Sequence, residues 1–406
     1  MFMINTNSQK IQELLNRGVE EIFERESLLK KLQSGKKLRI KHGVDPTGPK
    51  IHLGRAIQFW KLRAFQELGH QIILIIGDFT AQIGDASDKQ SIRKCLTPAE
   101  IKENMKDYKR QIGKILDLKK VEVCYNSQWL KKLSIRDLLN LAMHFTAQQM
   151  IQRRNFKERW EQQKPIGVHE LTYPLFQGYD SVAVKSDIEI GGTDQLFNLQ
   201  AGREIQKSFG QEPQDIMTLK MLRGLDGRKM STSWGNIVTI IDESQDMYGK
   251  IMSLRDELIF EYFELCTRVA PEELAVIKKD LEENKINPRD VKAKLAKEIV
   301  ALYHGKDSAE EAEKEFNRIF KEKQLPSEIK TVDMSQGAYP ILDLLADTGL
   351  AASKSEAQRL VEGGGVSISI GNQESRIQNW KEEIKIEEGM VIRAGKRRFI
   401  KIHLIK

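Results

Sequence analysis

The alternation of apolar and polar positions predicts a region of mixed strands and helices in the first part of the chain. Residues 38–44 alternate like a half-buried strand, and residues 72–76 are an unbroken apolar run of the kind found in buried parallel strands. Residues 187–190 and 217–221 are shorter strand candidates. Between these strands, residues 98–165 are rich in Lys, Gln and Arg, and their apolar positions recur at near-helical spacing. The pattern therefore predicts an α/β domain with a helical insertion.

The same patterning divides the chain into successive domains. Residues 1–240 fit an α/β domain, and residues 241–322 are helical in pattern throughout. A polar stretch with Pro, Ser and Gly at residues 323–338 predicts a linker. Residues 339–406 then predict a small α+β module, in which a helix is followed by alternating strands.

Length and composition limit the possible classes of protein. The chain has 406 residues, of which 40% are hydrophobic, enough for two or three domains with sizeable cores. Its longest apolar run is far too short to cross a bilayer, and the N-terminus lacks signal-peptide architecture, so we expect a cytoplasmic protein without a membrane partner. The three cysteines are isolated and suggest neither a metal site nor a disulfide. A net charge of +7 is compatible with a nucleic-acid partner.

Two segments roughly 180 residues apart carry candidate phosphate chemistry. The first is Asp45-Pro-Thr-Gly-Pro-Lys-Ile-His-Leu-Gly-Arg55, and the second is Asp226-Gly-Arg-Lys-Met-Ser-Thr-Ser233. The first joins a strand to a helix, which aims backbone N–H groups and the positive helix end at phosphate. Gly54 leaves room for an adenine ring, His52 offers a hydrogen-bond donor, and Lys229 is a cation for charge that develops on a leaving group. We interpret the two segments as halves of one ATP site.

Three polar residues share one face of a predicted helix. Tyr173, Gln177 and Asp180 are spaced i, i+4 and i+7. Polar groups at such positions need partners or a ligand. The spacing alone leaves open whether they form a polar network within the fold or a binding pocket.

These motifs together resemble a known enzyme family. His-Leu-Gly-Arg and Lys-Met-Ser-Thr-Ser resemble the HIGH and KMSKS signatures of class I aminoacyl-tRNA synthetases. Tyr173-Pro-Leu-Phe-Gln-Gly-Tyr-Asp180 and Gly191-Gly-Thr-Asp-Gln195 are similar to segments of the bacterial tyrosyl-tRNA synthetases. The resemblance runs in order from about residue 35 to the C-terminus. It implies that residues 1–240 form a Rossmann-type catalytic domain and that the chain is a tyrosine–tRNA ligase that uses ATP with Mg²⁺ and no prosthetic group. It also implies a homodimer whose interface is carried largely by the helical insertion.

The resemblance also implies roles for individual residues. The set implied to bind tyrosine comprises Asp85, Tyr173 and Gln177 at the ammonium group, Asp180 at the phenol and Gln195 near the carboxyl group. The set implied to bind ATP comprises Asp45, Gly54, Gly191, Gly192, Asp194 at a ribose hydroxyl, Lys229, Met230 and Ser233. The set implied to stabilise developing charge comprises His52, Arg55, Lys89, Arg93, Lys229, Thr47 and Ser231.

At three positions the chain departs from the family's better-known pattern. Arg55 replaces the second histidine of HIGH, and Thr232 replaces the second lysine of KMSKS. Arg55 keeps a donor and adds a permanent charge. Lys41 stands where many tyrosine enzymes have a tyrosine. Period-two alternation puts Lys41 on the same strand face as Asp45, so we expect it to belong to the tyrosine site and to pair with Asp180.

The last module is similar to a small RNA-binding domain first described in a ribosomal small-subunit protein. Its helix opens with a capping box, Ser353-Lys-Ser-Glu356. We expect its basic residues to line a phosphate-binding face for tRNA, with a merely solvated charged face as the alternative. These residues are Lys354, Arg359, Lys396, Arg397 and Arg398.

Other functions remain compatible with parts of the pattern. They are a tryptophanyl-tRNA synthetase of the same fold, a catalytically inactive RNA-binding paralogue, and a small-molecule nucleotidyltransferase. Asp180 and the C-terminal module argue against the tryptophan enzyme, and a nucleotidyltransferase has no need of an RNA-binding module.

Overall fold

The computed structural model describes residues 4–85, 95–230, 234–322, 325, 329–371, 373–395 and 398–405. The chain forms two compact units. The first contains Met1–Asp242 and Lys250–Tyr303, and the second contains Glu243–Gly249 and His304–Lys406. Within the described ranges, no helix has both the length and the apolar character that a membrane span requires.

The helices and strands of the described residues follow in chain order. The helices are α1 (Ser8–Asn16), α2 (Arg25–Gln33), α3 (Leu53–Glu67), α4 (Pro98–Met105), α5 (Tyr108–Ile112), α6 (Ser127–Leu130), α7 (Ile135–Ala142), α8 (Ala147–Ile151), α9 (Arg154–Glu161), α10 (Val168–Val184), α11 (Leu196–Ser208), α12 (Ser244–Met252), α13 (Ile259–Cys266), α14 (Pro271–Glu282), α15 (Pro288–His304), α16 (Lys306–Phe320), α17 (Ile341–Asp347) and α18 (Lys354–Glu362). The strands are β1 (Val19–Phe23), β2 (Arg39–Val44), β3 (Gln71–Ile76), β4 (Val121–Tyr125), β5 (Ile188–Gly192), β6 (Asp215–Leu219), β7 (Lys330–Ser335), β8 (Ala338–Pro340), β9 (Val366–Ile370), β10 (Gln373–Arg376), β11 (Glu383–Lys385), β12 (Val391–Ala394) and β13 (Arg398–Ile405).

The first unit is built on a six-stranded sheet in the order β1-β6-β5-β2-β3-β4. All neighbours are parallel except β1 and β6, which are antiparallel. The chain therefore winds from β2 to β3 on one side and reaches β5 on the other. In such sheets ligands bind beyond the carboxyl ends of the strands, where the winding direction changes. The predicted Rossmann-type α/β fold is confirmed, and its switch point lies between β2 and β5.

The four predicted strands are present, and the first sheet has two further strands, β1 and β4. Residues 38–44 and 72–76 fall in β2 and β3, and the two shorter candidates correspond to β5 and β6. The predicted helical insertion, residues 98–165, also contains a strand, β4, which pairs in parallel with β3. The sequence pattern did not indicate β4, because only five residues alternate there and the sequence before them is rich in lysine. The insertion predicted to be helical therefore contains one strand besides its helices.

Two glycines let α10 and α11 approach each other closely. A Cβ atom at Gly178 would lie 2.6 Å from Cδ1 of Ile205 and 3.1 Å from the carbonyl carbon of Ala201. At Gly202 it would lie 2.5 Å from Nε2 of Gln214. Larger residues would push the helices apart, so these glycines set the position of α10.

The region predicted to be helical contains α12 to α16. Pro271 and Pro288 are the first residues of α14 and α15, as predicted from the preference of proline for the first turn of a helix. Within the first unit, Arg17 fastens the segment that follows α13, since its guanidinium donates to the carbonyl oxygens of Thr267 at 2.6 Å and Val269 at 2.7 Å. The division into functional domains at residues 240, 322 and 338 stays a prediction.

The second unit contains a five-stranded sheet in the order β10-β9-β12-β13-β7 and a two-stranded sheet of β11 and β8. Apolar residues of these strands and of α17 and α18 form a separate core, which includes Leu344, Val361 and Ile392. Strand β7 lies inside the stretch 323–338 that was predicted to be a linker, and it pairs in parallel with β13. That part of the linker prediction is wrong, because alternating Val332 and Met334 pack against the core.

Candidate active site

A cleft of about 260 Å³ lies at the carboxyl ends of the parallel strands. Both motif segments line it, together with the polar face of α10. The predicted site residues that line the cleft are Asp45, Thr47, His52, Gly54, Arg55, Asp85, Tyr173, Gln177, Asp180, Gly192, Asp194, Gln195, Lys229 and Met230. Gly191 lies one residue earlier in β5. The predicted residues Lys89, Arg93, Ser231 and Ser233 and the departure Thr232 lie outside the described residues.

Asp180 is buried at one side of the cleft between two donors. Nε1 of Trp129 donates to its Oδ1 at 2.7 Å, and Nδ2 of Asn126 donates to its Oδ2 at 3.3 Å. Burial raises the pKa of Asp180 to about 7, against the opposing effects of the Lys41 charge and of these two hydrogen bonds. The carboxylate is therefore held in place but poorly solvated, a state that favours an incoming hydrogen-bond donor.

A chain of hydrogen bonds connects Asp180 to the start of the first motif. Nδ2 of Asn126 also donates to Oγ1 of Thr80 at 3.0 Å, and Thr80 donates to Oδ1 of Asp45 at 2.7 Å. The hydroxyl of Tyr173 donates to Oδ2 of Asp45 at 2.9 Å. Gly77 makes this possible, because a Cβ atom there would lie 1.9 Å from Oδ1 of Asp45. The network joins the ends of β2, β3 and β4 to α10.

Sequence reasoning missed several of these residues. Asn126 comes directly after β4, and Thr80 lies shortly after β3, so both occupy carboxyl ends of parallel strands. A strand assignment at residues 121–125 would have drawn attention to Asn126 and Trp129. No comparable local signal marks Glu189, whose side chain matters only through its tertiary contacts.

Lys41 is completely buried, and its partner is Glu189. Its Nζ lies 2.8 Å from Oε1 of Glu189 and donates to the Gln177 carbonyl at 2.8 Å and to Oγ of Ser181 at 2.7 Å. The predicted pairing of Lys41 with Asp180 is therefore wrong. The parallel register places Lys41 directly beside Glu189 on β5, whereas Asp180 faces its own donors.

Glu189 is in turn fully engaged. It accepts from Nε2 of Gln177 at 3.0 Å, from Oγ of Ser181 at 3.1 Å and from the side-chain amide of Gln214. Lys41 and Glu189 thus hold both the backbone and the side chain of Gln177. Lys41 does not line the cleft but supports a residue that does.

Asp85 lies at the far end of the same network. Nδ2 of Asn198 donates to Oδ2 of Asp85 at 3.4 Å and to Oε1 of Gln177 at 3.0 Å. The buried guanidinium of Arg153 approaches Asp85 with Nη2 at 3.7 Å from Oδ1. Asp85 and Gln177 therefore present oxygen acceptors from a common framework, which suits a cationic group.

The other side of the cleft carries the basic residues of the first motif. His52 is the N-cap of α3, and burial together with the Arg55 charge lowers its pKa to about 4. His52 is consequently neutral at physiological pH, and its Nδ1 has no hydrogen-bond partner among the residues that the structure describes. Arg55 donates from Nη1 to the Tyr108 hydroxyl at 2.7 Å and from Nη2 to Oγ1 of Thr47 at 2.5 Å. The backbone of Lys229 is held by Asn236, whose Nδ2 donates to its carbonyl at 3.1 Å.

The basic residues predicted to bind RNA lie in the second unit. Lys354 pairs with Asp343 at 2.5 Å, and Arg398 pairs with Glu356 at 2.9 Å. Arg359 donates from Nε to the Ser355 carbonyl at 3.3 Å. Lys396 and Arg397 lie outside the described residues.

Comparison with known families agrees with this geometry. Residues 33–321 match the family described as class I tRNA synthetases (W and Y), and residues 321–402 match the tyrosine–tRNA ligase SYY-like C-terminal domain. The chain is 46% identical over 395 residues to the tyrosine–tRNA ligase of Moorella thermoacetica, an alignment covering 96% of this chain and 95% of that protein. It is 47% identical over 401 residues to the tyrosine–tRNA ligase of Carboxydothermus hydrogenoformans, covering 96% and 97% respectively.

A solved structure shows the same architecture. The tyrosyl-tRNA synthetase of Archaeoglobus fulgidus, determined in complex with L-tyrosine, superposes with a TM-score of 0.62 at 25% sequence identity. The superposition covers 75% of this chain and 99% of that one.

We predict that Lys41→Met lowers the free energy of unfolding by about 3–5 kcal/mol, because it leaves the Glu189 carboxylate buried without its cation. Adding Glu189→Gln should restore a substantial part of that loss by removing the uncompensated charge. Chemical denaturation of the single and double variants measures both effects. Equal stabilities of the wild-type protein and Lys41→Met would contradict the importance of the pair.

Proposed function

The chain belongs to the class I tRNA synthetases for tryptophan and tyrosine and acts as a tyrosine–tRNA ligase with ATP as a substrate, and we propose how its own residues carry out the reaction. The relatives named above are tyrosine–tRNA ligases, and their alignments with this chain cover almost the whole length of both proteins. This similarity favours a tyrosine–tRNA ligase over a tryptophan enzyme or an inactive RNA-binding paralogue. The observation that supports our assignment of residues is the single cleft lined by both motif segments and by the polar face of α10.

The reaction proceeds in two steps. The carboxylate of tyrosine first attacks the α-phosphorus of ATP, so that a carboxyl–phosphate bond forms and pyrophosphate leaves. A terminal ribose hydroxyl of tRNA then attacks the carbonyl of tyrosyl-adenylate, and AMP leaves. Neither step needs a covalent enzyme intermediate, so the protein contributes positioning and stabilisation of charge.

At the tyrosine end, we propose that Asp180 accepts a hydrogen bond from the phenol. The ammonium group is bound by Asp85, Tyr173 and Gln177, and Gln195 lies near the carboxyl group. A buried acceptor of this kind rejects phenylalanine because it would be left unpaired, an effect for which tyrosine-activating synthetases are the standard example. Lys41 contributes indirectly, through its bonds to Gln177 and Glu189.

At the nucleotide end, we propose that the residues divide between binding and charge stabilisation. Those that bind adenosine and ribose are Asp45, Gly54, Gly191, Gly192, Asp194 and Met230. Those that act on the phosphates are His52, Arg55, Thr47, Lys229, Lys89, Arg93, Ser231 and Ser233. Neutral His52 donates a hydrogen bond, whereas Arg55 and Lys229 supply positive charge.

We propose that Mg²⁺ enters the cleft as the Mg–ATP complex. Magnesium keeps several water ligands and binds mainly through substrate phosphates, so it does not need a dedicated protein cage. The carboxylates of Asp45 and Asp194 line the cleft and offer the oxygen chemistry that this ion prefers.

The direct test is tyrosine-dependent exchange of pyrophosphate into ATP by the purified chain. We expect exchange with tyrosine, strong rejection of phenylalanine and tryptophan, and loss of activity when EDTA removes Mg²⁺. Asp180→Ala should remove most of the tyrosine-dependent activity. Better exchange with tryptophan than with tyrosine would contradict the assignment.

The raised pKa of Asp180 predicts a pH dependence of tyrosine use. Below about pH 7 most Asp180 side chains are protonated, so that one carboxyl oxygen carries a hydrogen and becomes a donor. A protonated Asp180 therefore has less capacity to accept hydrogen bonds from Trp129, Asn126 and a phenol. The kcat/KM for tyrosine should therefore fall by roughly tenfold between pH 8 and pH 6, following the ionised fraction. Asp180→Asn should lower kcat/KM and remove this dependence. An unchanged profile in that variant would assign the titration to another group.

We propose that the enzyme is a homodimer formed through the helical insertion. Ile135, Leu139 and Met143 lie along one stripe of α7 and are 81%, 61% and 77% exposed. Leu141, in contrast, faces the core of the unit. A stripe of large exposed apolar side chains marks an interaction surface, and a second copy of the chain offers the same stripe by symmetry. The family resemblance supports the same region.

Sedimentation velocity tests this proposal. The wild-type protein should sediment at about twice the chain mass of 46.6 kDa, and Leu139→Glu should sediment as a monomer at micromolar concentration. Val276→Glu is the matched control, because Val276 is 58% exposed on α14, outside the insertion. A dimer that survives Leu139→Glu but not Val276→Glu would place the interface elsewhere.

We propose that the second unit binds the tRNA(Tyr) substrate through the basic residues around β13 and α18. Its family match to a tyrosine–tRNA ligase C-terminal domain supports this role. Lys354 and Arg398 lie at accessible positions of this unit, where each is paired with an acidic neighbour. Phosphate contacts by Lys354, Arg359, Lys396, Arg397 and Arg398 would make tRNA affinity dependent on salt.

Charge reversal tests the RNA contacts. Lys396→Glu combined with Arg397→Glu should weaken tRNA binding and reduce the slope of log affinity against log salt by about two, one for each lost phosphate contact. Pyrophosphate exchange, which needs no tRNA, should be unchanged. Lys10→Glu combined with Lys30→Glu, an equal charge change at exposed positions of α1 and α2, is the control. Equal salt slopes for both double variants would exclude this surface.

A further inference from the structure

The arginine that replaces the second histidine of the first motif is held by a residue that the motif does not contain. Arg55 has a long, flexible side chain, and its guanidinium offers five donors in a planar fork. Such a group stabilises charge well only if its direction is set before the substrate arrives. In the structure the two terminal nitrogens of Arg55 donate to different hydroxyl groups. Nη1 donates to the Tyr108 hydroxyl at 2.7 Å, and Nη2 donates to Oγ1 of Thr47 at 2.5 Å.

Tyr108 is well placed to direct this guanidinium. It is the first residue of α5, is almost completely buried and lines the cleft beside Arg55. Because its ring is packed into the fold, its hydroxyl has little freedom. By donating one bond to this rigid hydroxyl and one to Oγ1 of Thr47, the guanidinium is left a narrow range of orientations.

The helix that carries Tyr108 is itself fastened to the first motif. Nε2 of Gln111 donates to the Pro49 carbonyl at 2.7 Å, and Oε1 of Gln111 accepts from the backbone N–H of Ile51 at 2.8 Å. The preceding helix α4 adds a further bond, because Nδ2 of its Asn104 donates to the Pro46 carbonyl at 2.9 Å. The loop that holds Thr47 and the helix that holds Tyr108 are thus joined as one framework around Arg55.

We propose that Tyr108 is a positioning residue for adenylate formation, which acts by orienting Arg55 toward Thr47 and the phosphate end of the cleft. This role rests on the proposed function of Arg55 in stabilising charge during pyrophosphate release. Tyr108 itself makes no bond to the reacting atoms. Its hydroxyl serves the arginine that stands in this chain at the histidine position.

The test begins with Tyr108→Phe, which removes one oxygen and keeps the ring. We expect kcat for tyrosine-dependent pyrophosphate exchange to fall roughly tenfold to hundredfold, the range for one lost hydrogen bond to a charged group. The KM for tyrosine should be unchanged. Tyr303→Phe is the matched control, because this buried hydroxyl also has one side-chain partner, Nε1 of Trp60 at 2.9 Å, and does not line the cleft. The control should keep wild-type kcat.

A double-mutant cycle separates positioning from direct contact with ATP. In an Arg55→Ala background, Tyr108→Phe should cause no further loss, because the group that it orients is absent. Additive losses would overturn the proposal, as would a Tyr108→Phe variant that raises only the KM for ATP and keeps kcat. Melting temperatures of all variants, compared with Tyr303→Phe, show whether a loss of kcat reflects unfolding. A wild-type chain without any exchange activity would instead contradict the proposed function itself.

Discussion

A buried ion pair between β2 and β5 is the constraint on which the site depends. Lys41 and Glu189 stand side by side in the parallel register, and both are almost inaccessible to solvent. Isolated charges in such a place cost several kcal/mol each, so the pair requires close contact and further hydrogen bonds. Gln177 and Ser181 of α10 supply those bonds. Satisfying two buried charges therefore sets the position of the helix that carries the polar face of the cleft.

From α10 a network of hydrogen bonds continues to the carboxyl ends of the parallel strands. Asp180, Asn126, Thr80 and Asp45 form one hydrogen-bonded series, and a satisfied network of this kind is rigid because each group restrains the next. Burial has a cost at Asp180, because it disfavours the charged form of the carboxyl group. Since its folded pKa lies near 7, above the ordinary value of 3.8, the native state loses stability relative to the unfolded state as pH rises through that interval. The site tolerates this loss because the ionised carboxylate is the form that accepts a hydrogen bond from a phenol.

The departures of the motifs from the family pattern fit into this framework. Lys41 has a complementary charge, and Arg55 has two hydroxyl partners, one of them on the insertion. The insertion therefore has three roles in the first unit: β4 forms one edge strand of the sheet, Asn126 extends the polar network, and Tyr108 accepts a hydrogen bond from Arg55. Lys41 and Arg55 are thus each matched by nearby groups that satisfy them, as buried polar groups require.

Local periodicity was sufficient to predict most strands of the first sheet, the fold class, and the helix that places Tyr173, Gln177 and Asp180 on one face. These features depend on residues a few positions apart, so the sequence contains the necessary information. The partner of Lys41 could not be predicted in this way, because it depends on the register between two strands distant in sequence. Strand β4 was hidden because five alternating residues gain their stability from pairing with β3 rather than from their own pattern. Only the tertiary structure decided which carboxylate neutralises the buried lysine, since burial and register bring those two charges together.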